Sequence, residues 1–138
     1  MIGLVLGTAI APAYADSDLL FCEQNEESFG FEIQELPVEH QGQVLLSLSV
    51  AFRFLGQEYP EFSAMARNIQ QFLENYPNET DFWEILNNNL VAFLMAEYPE
   101  IGSLKVKVDV APNVSAPYER YSVVTSTRPG SCPLLHIQ

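Results

Sequence analysis

The sequence predicts an α+β fold: a four-stranded antiparallel sheet with two helices packed on one face, in the order strand, strand, helix, helix, strand, strand (ββααββ). Three observations carry this expectation. Phe82, Leu86, Leu90, Leu94 and Tyr98 recur every four residues, with Ile85 and Phe93 beside them, which makes a helical apolar face wide enough to cover a sheet. Leu104, Val106, Val108 and Val110 then alternate with Lys105, Lys107 and Asp109, the period of a half-buried strand. Leu46, Leu48, Val50, Phe52 and Phe54 alternate in the same way with Leu45, Ser47, Ser49, Ala51 and Arg53, giving the longest strand.

Taken in order, Phe29, Phe31 and Ile33 alternate with Gly30, Glu32 and Gln34 as a first strand that Leu36-Pro37 is expected to end. The polar turn Glu39-His40-Gln41-Gly42 leads to Gln43 and the long strand, and so short a link predicts an antiparallel hairpin. Gly56 and Pro60 punctuate the exit. Phe62, Met65, Ile69, Phe72 and Tyr76 then mark a first helix, with Pro60 near its first turn. Tyr76-Pro77-Asn78 breaks that helix, and Thr80 or Asn78 is placed to cap the second, with Asp81 suited to its dipole and Asn87, Asn88 and Asn89 on its solvent side. Pro99 cannot continue it. The last strand, roughly residues 118–127, is rich in Val, Thr and Tyr, and Arg128-Pro129-Gly130 turns the chain into its tail.

The helices can cover one side of this sheet only. The other side carries Ser47, Ser49, Ala51 and Arg53 on strand two and Lys105, Lys107 and Asp109 on strand three, all small or charged. Two environments suit such a face: solvent, or the lumen of a barrel closed by several subunits pairing edge to edge.

With 138 residues there is room for one domain and a core that needs no staple. A formal net charge of -12 with only six Lys and Arg argues against a nucleic-acid partner, which demands clustered basic residues. No Lys or Arg precedes Arg53, so Asp16, Asp18, Glu23, Glu26, Glu27, Glu32, Glu35 and Glu39 form an uncompensated acidic third, fit for solvent, cations or basic partners.

Residues 1–15, MIGLVLGTAIAPAYA, are apolar and small and end in Ala-Tyr-Ala before Asp16, which predicts a signal peptide cleaved after Ala15 and an exported protein, whether periplasmic, lumenal or extracellular. The basic n-region is missing, which fits a true start upstream of this one; a buried N-terminal strand or helix is the alternative. Residues 16–28 follow as an acidic segment and residues 29–138 as a single α+β domain. The apolar run is too short to span a bilayer, which takes about 20 residues, so no membrane insertion is expected after cleavage. Cys22 and Cys132, near the two ends of the mature chain, fit one disulfide whose long loop constrains the unfolded chain by roughly 4 kcal/mol; two thiols are the alternative. His40 and His136 lack ligand spacing with them, so no metal is expected.

One further pattern spans much of the chain. Glu84 is followed by Leu86, Leu90 and Leu94, by Tyr98-Pro99 fourteen and fifteen residues on, and by Val106-x-Val108-x-Val110, while Gly42-Gln43 precedes the long strand. This series, over about residues 30–127, resembles the tunnelling fold (T-fold) superfamily and, within it, dihydroneopterin aldolase. The resemblance implies a T-fold-like homo-oligomer in which Glu84 anchors a small planar heterocycle, pterin- or purine-like, by accepting two hydrogen bonds from its N-C-N edge. It also exposes departures. The family's catalytic Lys falls at Val110 or Ala111, which carry no proton, and its Tyr falls at Phe62, with Tyr59 three residues earlier and Glu39 standing for an acidic turn residue.

These residues leave three functions in view: an exported, oligomeric, non-aldolase protein holding a planar ligand through Glu84; a working dihydroneopterin aldolase of folate biosynthesis assisted by Glu39 or Tyr59; and a secreted interaction domain acting through its acidic N-terminal segment. No Gly-x-Ser-x-Gly, phosphate-binding Gly loop or EF-hand spacing adds another, and no cofactor is implied.

Overall fold

The strands form where apolar and polar residues alternate, and they pair in sequence order. The computed structural model describes residues 28–77 and 82–134, so the expected signal segment 1–15, the acidic segment 16–28 as far as Glu27 and with it Cys22, the cap candidates Asn78 and Thr80, the dipole candidate Asp81, and His136 lie outside the described residues. Strands β1 (Phe29–Glu39), β2 (Gln43–Phe54), β3 (Ile101–Val110) and β4 (Arg120–Thr127) make one antiparallel sheet in the order β1-β2-β3-β4. Helices α1 (Phe62–Asn75) and α2 (Trp83–Glu97) connect β2 to β3. Helix α1 lies over β1 and α2 over β3 and β4, so both cover the same face.

That face supplies the core. Leu46, Leu48, Val50 and Phe52 of β2 and Leu104, Val106, Val108 and Val110 of β3 are buried against Met65, Ile69 and Leu73 of α1 and Leu86, Leu90, Val91 and Leu94 of α2. Removing each such aliphatic side chain from water stabilises the fold by roughly 1.5–3 kcal/mol. The rings of Phe72 and Phe93 stack at 5.0 Å to join the two helices. No helix among the described residues is long and apolar enough to cross a membrane.

Strand β1 does not stop at Leu36-Pro37 as expected. It runs on to Glu39 because it is an edge strand, where a proline that cannot donate to a ladder is tolerated. A bulge between Ile33 and Leu36 inserts one residue, with Glu35 at φ 54° and its amide donating to Ser47 Oγ at 3.3 Å. The extra residue shifts the alternation by one, so Phe29, Phe31 and Ile33 and then Leu36 and Val38 all face the helices. The hairpin turns at Gln41 (φ 56°) and Gly42 (φ 94°), a conformation that glycine adopts without a Cβ clash.

Helix α2 is rotated from its expected setting. Its buried stripe is Trp83, Leu86, Asn87, Leu90, Val91 and Leu94, while Phe82 and Ile85 are 68% and 41% exposed. Asn88 and Asn89 face solvent as expected, but Asn87 does not: it is fully buried and its Nδ2 donates to Val106 O at 3.0 Å and Ser122 O at 3.1 Å. The N-cap position is Phe82, with no side-chain cap.

The other end of α2 is closed from far along the chain. Its last turn holds no basic residue, yet the Arg128 guanidinium donates to Met95 O, to Tyr98 O at 2.9 Å and, through Nε, to Ile101 O at 2.6 Å. A cation there satisfies orphan carbonyls and opposes the negative end of the helix dipole. Arg128→Met, which keeps the stem and removes these donors, is expected to cost about 2 kcal/mol in urea unfolding. A loss under half of that would show the clamp to be incidental.

Candidate functional site

The face away from the helices is where side chains meet without belonging to the core. Cross-strand register sets them in rows: Arg53, Ser103 and Thr127; then Gly30, Ala51, Lys105 and Thr125; then Glu32, Ser49, Lys107 and Val123; then Ser47, Asp109 and Tyr121. The two middle rows apart from Thr125, with Tyr121, line a groove of about 450 Å³.

Its floor is low because the side chains there are small. Gly30, Ala51 and Ser49 lie between Glu32 on β1 and the two lysines on β3. A Cβ on Gly30 would come within 3.0 Å of Val50 O, so the backbone of β1 approaches β2 in a way that excludes a larger residue. Lys105 and Lys107 are the only lysines of the chain, and both are half-buried here. The Lys107 ammonium sits 4.8 Å from the centre of the Tyr121 ring, a cation–π contact. Ser49 Oγ donates to a Glu32 carboxylate oxygen at 3.4 Å, and Gln34 Nε2 to the other at 3.3 Å.

The chain closes one end of this face itself. Arg53 is buried, and its Nη2 donates to Pro133 O at 3.4 Å; Pro133 and Leu134 line a second, smaller pocket together with Ser103, Lys105, Thr125 and Thr127. Strand β1 begins at the same end, since Phe29 pairs with Phe52.

The residues expected from the sequence to act together are spread over the molecule. Tyr59, 84% exposed, lies edge-on to the Phe29 ring at 6.1 Å, at the start of β1. Glu39 is exposed at the far end of that strand, about 30 Å away at strand rise. Glu84 is exposed in the first turn of α2. It shares the hairpin end with Glu39, because its neighbour Trp83 packs on His40 with ring centres 4.8 Å apart. Neither Glu84 nor Glu39 lines the groove on the open face. Val110, which with Ala111 stands where the resemblance would put a lysine, is buried, and Phe62 is 38% exposed and packs on Phe31 and Phe52.

No protein-family model matches the chain, and no curated protein matches it. Among the described residues there is no group of three or more His, Cys, Asp and Glu side chains able to hold a metal ion. Buried His40 is no ligand cluster either: its Nδ1 donates to Pro77 O at 3.1 Å, and its ring lies against Tyr76 and Trp83, tying the hairpin to the helices.

Sequence reasoning placed the β2 and β3 residues of the groove on one face but missed Gly30, Glu32, Tyr121 and Val123. The same alternation carried into β1 and β4 would have added them, given the pairing register.

Proposed function

We propose that the chain is an exported, oligomeric, T-fold-like protein without aldolase chemistry that holds a small planar heterocycle through Glu84. The observation that carries the oligomer is the contrast between the two sheet edges. Strand β1 is guarded by Pro37, by the bulge at Glu35 and by Glu32 and Glu39. Strand β4 holds an unbroken register from Arg120 to Thr127, contains no proline, and leaves Tyr121 and Val123 67% and 44% exposed. An unbulged, proline-free and partly apolar edge of eight residues is a template for another chain.

The absence of aldolase chemistry follows from Val110 and Ala111 where the resemblance calls for a lysine, and from the separation of Glu39 and Tyr59 across the length of β1. No observation favours the working aldolase, and the acidic segment invoked for an interaction domain lies outside the described residues. The reading of Glu84 rests on the resemblance alone: the carboxylate is exposed in the first turn of α2, a position that the helix dipole also favours.

Export and the Cys22–Cys132 disulfide belong to the same proposal. Two cysteines in the chain, none of them free among the described residues, and β1 starting at the end where Cys132 lies favour the pairing. Six residues of extended chain before Ser28 reach about 20 Å, enough to cross to Cys132 over the two strand spacings involved.

Light scattering on the purified protein is expected to give a mass above that of a dimer, reduced by the paired changes Tyr121→Lys and Val123→Lys. Dihydroneopterin should release no glycolaldehyde, and a pterin should bind with an affinity that falls about tenfold in Glu84→Ala. A monomer whose pterin affinity ignores Glu84 would overturn the proposal.

A further inference from the structure

We infer that residues 16–27 act as an acidic strap over the groove of the open sheet face, fastened by the Cys22–Cys132 disulfide, so that reducing this bond uncovers the groove. The inference rests on that disulfide and is independent of Glu84.

The route of the chain is the first argument. Cys132 stands at the Arg53 end of the open face, because Ser131 Oγ is 3.2 Å from the point a Cβ on Gly102 would take and Pro133 O accepts from Arg53. A disulfide there holds Cys22 over the ends of β2 and β3, while Ser28 leads into β1 at the same end, where Phe29 pairs with Phe52. Residues 23–27 then cross this end of the face, and three of the five are glutamates. Residues 16–21 run on from Cys22. Asp18 is four residues from Cys22 and Lys107 four residues from Ser103, each about 13 Å of extended chain, so a strap laid along β3 sets Asp18 level with Lys107.

Charge and shape are the second. Of the chain's six basic residues, Arg53, Lys105 and Lys107 share this face, and Asp16, Asp18, Glu23, Glu26 and Glu27 precede β1 with no basic residue among them. Charges so opposed, on two parts of one chain, favour their contact. The end where the strap enters is already covered: Arg53 and Ser103 are 8% and 1% exposed although they face away from the helices. Gly30, Ala51 and Ser49 keep the floor low enough for a backbone to lie close over the sheet. Tyr121 and Val123, 67% and 44% exposed, offer apolar surface to Leu19, Leu20 and Phe21.

The disulfide sets the grip. With it closed, Asp18 is four residues from a fixed point; with it open, the nearest is Phe29, eleven residues away. Effective concentration falls as roughly the −3/2 power of tether length, about fivefold for this change. Opening takes two electrons and two protons from a dithiol, which becomes a disulfide as Cys22 and Cys132 become thiols.

Lys105 and Lys107 are the only lysines of the chain, so their acetylation by an amine-reactive ester, read at each residue by tandem mass spectrometry on the full-length protein, measures the cover directly. Both are expected to react about fivefold faster after treatment with dithiothreitol and in Cys22→Ser. Asp18→Asn combined with Glu23→Gln, Glu26→Gln and Glu27→Gln should have at least that effect with the disulfide intact. Glu74→Gln, on the exposed surface of α1, should change nothing. Thermal melting of each variant reports whether it folds. Alkylation of both cysteines by iodoacetamide without reductant would overturn the disulfide and this inference with it. An intact disulfide, with lysine rates that ignore both dithiothreitol and the neutralised carboxylates, would overturn the strap alone. Rates that fall as protein concentration rises would give the face to a second copy instead.

Discussion

Asn87→Asp is expected to destabilise the fold by about 3–5 kcal/mol at neutral pH, a large share of the 5–15 kcal/mol typical of a domain. The replaced amide nitrogen lies 3.0 Å from Val106 O and 3.1 Å from Ser122 O, two carbonyl oxygens that accept and cannot donate. A carboxylate oxygen in that place, fully buried, meets them with like partial charge, and only the Ser122 hydroxyl, 3.3 Å away, can donate to it. The protonated acid has one O–H and answers only one of them. Burial therefore raises the folded-state pKa of the new carboxyl above its unfolded value, about 3.9. Below that value both states hold the proton and the variant lacks little more than Asn87→Ala does. As pH rises the unfolded chain ionises first, and stability is lost until the folded pKa is passed. Urea midpoints of Asn87→Asp and Asn87→Ala across the acid range check this; parallel curves would show that water reaches Asn87.

Phe52→Ala is expected to cost about 3–5 kcal/mol through lost transfer energy and the cavity left behind. Phe52 is fully buried in the central strand β2 and meets the rings of Phe29, Phe54 and Phe62 at 6.1, 6.1 and 6.2 Å. Those neighbours come from β1, β2 and α1, so collapse into the void is resisted from three elements at once. The urea midpoint should fall with the slope unchanged. A loss near 1 kcal/mol would mean that the aromatic cluster closes over the gap.

The order of elements and the apolar side of β2, β3 and α1 were legible because alternation and three-four spacing are local signals. Val106 and Leu90 bury where their periods place them. Asn87 was misread because a polar residue on a helix is ordinarily a solvated one, and nothing within α2 tells that two strand carbonyls lie beneath it. Arg128 reads locally as part of a turn; its three acceptors are 27 to 33 residues away. Pro37 reads as a strand end unless it is known that β1 is an edge. Of the candidate sites, Lys105 and Lys107 were placed on the open face from their alternation. Their company of Glu32, Ser49 and Tyr121 needed the register of all four strands.

The sequence by itself determined one hairpin-forming strand pair, two amphipathic helices, two further strands, and a sheet with one apolar and one polar side, because each depends only on how side chains repeat along a few turns or pleats. Only the tertiary structure decided which polar groups go inside, that Glu39 and Tyr59 stand at opposite ends of β1, and that both lysines share a groove with a tyrosine. Those outcomes depend on pairing register and on partners distant in the chain, and neither is written in the period of any single segment.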